Sequence, residues 1–170
     1  MSAADAPPGD DATLGEAKAW LRDWLTDGAS CPCCTQRAQV YRRPIYATMA
    51  RALITLYRAG GAAHPVHLPT VLGRRTNGTG RTMAGGDEAK LAYWGLIAEC
   101  TEPREDGGRA GWWQITEAGV RYLHGEQVPR YALVYDGRCL GLTGEPRSIS
   151  DALGAEFDLG QLVGAGPVEG

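Results

Sequence analysis

Two short apolar runs bracket a charged, glycine-rich tip between Lys90 and Leu123, and this arrangement constrains the fold more than any other part of the chain. The pattern from Asp87 to Trp94 is helical and stops at Gly95, with a start that lies between Thr82 and Asp87. Leu96 to Cys100 is the first apolar run and Gly111 to Ile115 the second. Each has strand length. Between them lies Thr101-Glu-Pro-Arg-Glu-Asp-Gly-Gly-Arg-Ala, whose proline, glycines and charges favour a turn. Thr116 then caps a further helix that reaches about Leu123, with Ile115 and Val120 placed as a hydrophobic staple.

Helix, strand, tip, strand and capped helix in this order resemble a winged helix-turn-helix domain. The Trp94-Gly-Leu-Ile turn and the Trp113-Gln-Ile-Thr-Glu-Ala-Gly run are similar to that superfamily, above all to its bacterial and phage regulators. The resemblance covers residues 44–124. It implies a winged helix-turn-helix core, to which the patterns of the flanking residues add an N-terminal helix and a C-terminal β-hairpin–helix addition, so the expected fold class is α+β. It also implies binding to double-stranded DNA. The Asp87–Trp94 helix would enter the major groove, and the tip from Arg104 to Arg109 would reach the minor groove or the backbone. The implied role is transcription regulation, or another phage or mobile-element DNA transaction.

A formal net charge of −3 looks wrong for such a role until it is divided along the chain. From Arg37 to Lys90 there are nine basic and two acidic residues, a local balance of +7. Residues 1–36 and 117–170 each carry −4. Positive charge is therefore concentrated where the reading helices are expected, and for a DNA footprint the distribution matters more than the total. Arginine supplies nearly all of it, since lysine occurs only as Lys18 and Lys90. That bias, with abundant alanine and glycine, points to a GC-rich bacterial or phage genome.

The chain divides into five stretches. Residues 1–12 are small, Pro-rich and acidic, read as a disordered tail and not as a signal peptide. Residues 13–43 hold a helix opened by the Thr13–Glu16 capping box and stopped near Gly28, followed by the cysteine segment. Leu14, Ala17, Leu21, Trp24 and Leu25 share one face of that helix. Residues 44–126 are the expected winged-helix domain. Pro44 suits the first turn of its first helix, which carries Ile45, Met49, Leu53 and Leu56. Val66 to Leu72 is expected to be the second helix, and Gly73 to Gly86 a loop. Residues 127–163 form a hairpin, Tyr131–Val134 and Cys139–Leu142 about Asp136-Gly137, then a short helix from Ser148 carrying Ala152, Leu153 and Phe157. Residues 164–170 are a tail. No apolar run has the length of a membrane span, so the expectation is a cytoplasmic protein with no membrane partner.

Arg74-Arg-Thr76-Asn77-Gly-Thr-Gly-Arg81, followed by Thr82, is the main chemical feature. Arginine forks match phosphate oxygens and guanine edges, and Thr, Asn and free backbone N–H groups suit phosphates. With Arg42, Arg43, Lys90, Arg104 and Arg109 these residues make the expected DNA contacts. The plainer reading is a solvated loop. Nucleotide-binding motifs fail here. A Walker loop would need Lys at Arg81 and Gly at Arg75, and a dinucleotide fingerprint would need Gly at Met83.

Cys31-Pro-Cys33-Cys34 is half of a zinc knuckle: Cys31 and Cys34 have the spacing that turns two thiolates onto one metal. A closed site needs four ligands. Cys33, Cys139 or a second copy are the sources open to it, whereas His64 and His67 lie beyond the far end of a helix of roughly 20 Å, and reduced structural thiols are the competing reading. A disulfide framework is not expected from five cysteines without a secretion signal. No nucleophile–base or carboxylate pair is legible, so no enzyme activity is expected. The five tryptophans read as core and interface aromatics, with one of Trp112 and Trp113 exposed. Two partner readings accompany DNA. One is a homodimer through the Thr13–Gly28 helix and the C-terminal hairpin. The other is a protein partner bound by a winged helix that serves as adaptor or inhibitor, favoured by Glu102, Glu105 and Asp106 in the tip.

Overall fold

A computed structural model describes residues 6–73, 87–101 and 111–154, and these are α+β, with helices and small antiparallel sheets. The chain divides into two compact units: Met1–Arg43 with Ala132–Gly141, and Pro44–Tyr131 with Leu142–Gly170.

The first unit opens on helix α1 (Leu14–Trp24). Its start is the expected capping box. Thr13 Oγ1 accepts from the Glu16 N–H at 3.3 Å, and the Glu16 carboxylate accepts from the Thr13 N–H at 2.8 Å. The stripe of α1 is only partly covered: Ala17 is buried, Leu21, Trp24 and Leu25 are half-buried, and Leu14 is 58% exposed. The rings of Trp20 and Trp24 lie 6.0 Å apart, and the buried Trp20 Nε1 has no hydrogen-bond partner among the described residues. Strands β1 (Ala29–Ser30) and β2 (Arg37–Ala38) pair antiparallel, Ala29 with Ala38 and Ser30 with Arg37. The Val40 N–H then donates to the Leu25 carbonyl at 2.7 Å, tying the strand after this hairpin to the end of α1.

Strand β3 (Tyr41–Pro44) contains the proline expected in the first turn of a helix. Helix α2 (Ala47–Arg58) begins three residues later, with Tyr46 as an N-cap that makes no side-chain bond. Strand pairing takes Pro44 instead, and its fixed φ is as compatible with an edge strand as with a helix start. Strands β7 (Val128–Tyr135) and β8 (Arg138–Arg147) complete the sheet in the order β3-β7-β8. They meet at Asp136 and Gly137, both at positive φ (49° and 70°), the backbone of a two-residue type I′ hairpin turn. Both strands run longer than the alternation of apolar residues alone indicates.

In the second unit α2 is the centre, burying Met49, Ala50, Ala52, Leu53, Ile54 and Leu56. Val66 and His67, expected in a helix, form strand β4 instead; only Leu68–Val71 is helical (α3). The reason is tertiary: β4 pairs with strand β6 (Trp112–Ile115), Val66 opposite Trp113 and His67 opposite Trp112. Pro69 then suits the first turn of α3. Strand β5 (Ile97–Glu99) pairs on the other side of β6, Ile97 with Ile115 and Glu99 with Trp113, giving the order β4-β6-β5. Helix α4 (Glu117–Leu123) follows, with Thr116 Oγ1 accepting from the Gly119 N–H at 3.1 Å. Helix α5 (Ile149–Leu153) packs on α2 and buries Ile149 and Leu153. Phe157, expected on this helix, lies outside the described residues. Among those residues no helix is long and apolar enough to cross a membrane.

Candidate nucleic-acid interface

The segment Asp87–Trp94, expected to read DNA, is helical but wound as a 3₁₀ helix. A 3₁₀ helix has three residues per turn, so side chains fall into three straight rows. One row is Glu88, Leu91 and Trp94, all buried. The second is Ala89 and Ala92, both exposed. The third is Asp87, Lys90 and Tyr93, none fully exposed. The helix is held at its C-terminal end, where Trp94 Nε1 donates to the Pro129 carbonyl at 2.7 Å and the Leu96 N–H to the Leu91 carbonyl at 3.2 Å. Gly95 follows at φ 68°, a left-handed step that turns the chain into β5.

Lys90 is paired with Asp87 one 3₁₀ turn earlier, so its charge is compensated locally. Arg42 is exposed and Arg43 half-buried on β3, with the Arg43 guanidinium 5.8 Å from the centre of the Tyr41 ring. These two arginines belong to the first unit and Lys90 to the second. Arg74, Arg75, Thr76, Asn77, Arg81, Thr82, Arg104 and Arg109 lie outside the described residues. In sequence the basic stretch 74–82 joins α3 to the 3₁₀ helix, and the 102–110 tip joins β5 to β6. The base of that tip is closed by the Cys100 N–H donating to the Trp112 carbonyl at 2.9 Å.

Neither Trp112 nor Trp113 is fully exposed, in contrast to the expectation for one of them. Both are half-buried, and the Trp112 ring lies 5.4 Å from the His67 ring. His67 Nδ1 is 2.6 Å from Thr70 Oγ1, so this histidine is engaged at the start of α3.

The cysteine segment forms the tip of the β1–β2 hairpin. Its ends are closed by two bonds, Cys31 N–H to the Gln36 carbonyl at 2.8 Å and Thr35 N–H to the Cys31 carbonyl at 2.9 Å. Thr35 sits at φ 61°, a costly conformation for a β-branched residue, with its hydroxyl donating to the Cys34 carbonyl at 2.6 Å. Cys33 and Cys34 are exposed and Cys31 is half-buried. The backbone N–H groups of Cys33 and Cys34, and then their thiols, hold the Cys31 thiol below its ordinary pKa. Among the described residues no group of three or more His, Cys, Asp or Glu is arranged to hold a metal ion.

A feature that the linear pattern does not reveal is a cleft of about 410 Å³ in the second unit, lined in part by Tyr46, Tyr122, Arg130, Arg147 and Asp151. Burial, with a smaller contribution from Asp151, pushes the Tyr122 phenol well above its usual pKa. The Ser148 N–H and hydroxyl lower that of Asp151. No family model, no curated protein and no solved structure matches this chain.

Proposed function

We propose that the chain binds double-stranded DNA through a winged helix-turn-helix in its second unit, in transcription regulation or another DNA transaction of a bacterium or phage. One observation carries this reading. The second unit runs α2, β4, α3, 3₁₀ helix, β5, β6 with the sheet ordered β4-β6-β5, and in sequence the basic stretch 74–82 lies shortly before the 3₁₀ helix. In such an arrangement the third helix meets the major groove and the β5–β6 tip flanks it.

The outward row of that helix refines the chemistry. Ala89 and Ala92 offer methyl groups, which suit thymine methyls and close approach but carry no hydrogen-bond code. Base-edge and phosphate donors would come instead from Arg74, Arg75, Asn77 and Arg81, with Arg104 and Arg109 on the tip. An electrophoretic shift with random duplex DNA across a salt series tests this. Six phosphate contacts give a log–log salt slope of about −5. Replacing Arg74, Arg75 and Arg81 together by Ala should flatten it by about two to three units. An unchanged slope in the triple variant moves the footprint elsewhere.

The same alanine row favours a second reading, in which the helix docks on a protein. A small apolar face beside a locally neutralised lysine suits a protein surface, and the acidic tip residues Glu102, Glu105 and Asp106 repel phosphates. No shift by the wild-type chain at low salt selects this reading.

A further inference from the structure

We propose that Cys31 and Cys34 of two copies of this chain hold one zinc ion between them, in a four-thiolate site that neither copy completes alone. The inference concerns the first unit and is independent of DNA binding. Cys31 and Cys34 flank a two-residue spacing at the tip of a β-hairpin, the arrangement that presents two thiolates to one tetrahedral metal. The tip is shaped for it: the chain is pinched by the Cys31–Gln36 and Cys31–Thr35 backbone bonds, and Thr35 takes the left-handed step just after Cys34. Cys34 is exposed among the described residues. Beside it lies a cleft of about 320 Å³ lined by Cys31, Cys34, Gln36, Arg37, Tyr41 and Tyr135.

Ligand count points to the second copy. A closed structural zinc site takes four ligands, and soft thiolate pairs are completed best by further thiolates. Every cysteine and histidine of the chain lies among the described residues, and none of them joins Cys31 and Cys34 in a metal-holding group there. A second copy supplies the same pair through a two-fold axis at the metal, an isologous contact that closes on itself. The binding is balanced without redox chemistry. Four thiols release four protons, and zinc with four thiolates carries a charge of −2. The metal also answers a stability problem, because β1 and β2 are only two residues each and so short a hairpin is marginal alone.

The test uses the full chain purified without chelator, with metal content and mass in solution measured together. The expected result is one zinc per two chains, in a dimer that a chelator splits and added zinc restores. Cobalt(II) in place of zinc should give thiolate-to-cobalt charge-transfer absorption that saturates at half an equivalent per chain. Cys31→Ser and Cys34→Ser should each abolish both signals with an unchanged far-UV spectrum, and Cys33→Ser should keep them. One metal per chain in a monomer overturns the proposal, as does absence of metal. So does a dimer split by a phosphine reductant and not by chelator, which identifies a disulfide. Equal loss in Cys33→Ser overturns the assignment of ligands.

Discussion

At the scale of single residues, Gly119 is the most tightly approached of the described glycines. A Cβ there would collide with the Leu96 backbone carbonyl and come within 2.6 Å of Ile115 Cγ2. Thr116 explains why α4 lies so near. Its N–H donates to the Leu96 carbonyl at 3.1 Å and its hydroxyl to the Gly95 carbonyl, which fixes the first turn of α4 on the start of β5. By helix propensity alone Gly119→Ala would stabilise by about 1 kcal/mol. The collision is with backbone and cannot be relieved by a rotamer change, so the expected outcome has the opposite sign, a loss of about 1–3 kcal/mol in urea unfolding. A stabilised variant would mean that α4 does not pack on Leu96. In the linear sequence Gly119 reads only as a weak point in a helix, because its reason is the Leu96 carbonyl just before β5, distant in sequence.

At the scale of elements, side-chain-capped helix starts were legible, while helix type and the starts of α2 and α3 were not. Thr13, Thr116 and Ser148 act as N-caps where local spacing indicates, since a cap satisfies backbone N–H groups within its own first turn. Asp87–Trp94 reads as an ordinary helix, yet its 3₁₀ winding stacks Glu88, Leu91 and Trp94 at intervals of three, which sequence separation alone cannot distinguish from an α-helical face. Helix α5 is only five residues long, so its cap should matter to it strongly. Ser148→Ala should cost about 0.5–2 kcal/mol of unfolding free energy and loosen the packing of α5 on α2, seen as faster amide exchange at Ile149 to Leu153. Asp151 adds a pH dependence. Its folded pKa is lowered by the Ser148 N–H and hydroxyl, so this contribution is present above the unfolded pKa and is lost as pH falls through the folded one. The acid limb of the stability curve should therefore be shallower in Ser148→Ala.

At the scale of the whole molecule, the proposed zinc link and the proposed DNA reader make a joint expectation. Joining two binding modules raises avidity by roughly 10²–10⁴ without any new contact, provided both can engage. Chelation that splits the dimer should then weaken DNA binding by at least about tenfold, with each chain's far-UV spectrum unchanged. Equal affinity of metal-loaded and chelated protein would separate the two proposals and leave each to its own test. The sequence by itself determined the α+β composition, the Asp136-Gly137 hairpin, the capped helix starts and the β5–β6 pair, because each follows from interactions among near neighbours. Tertiary structure alone decided that Val66 and His67 are strand and that Pro44 ends one. Their partners, β6 and the β3-β7-β8 sheet, are distant in sequence, and only pairing with them outweighs a helical local pattern.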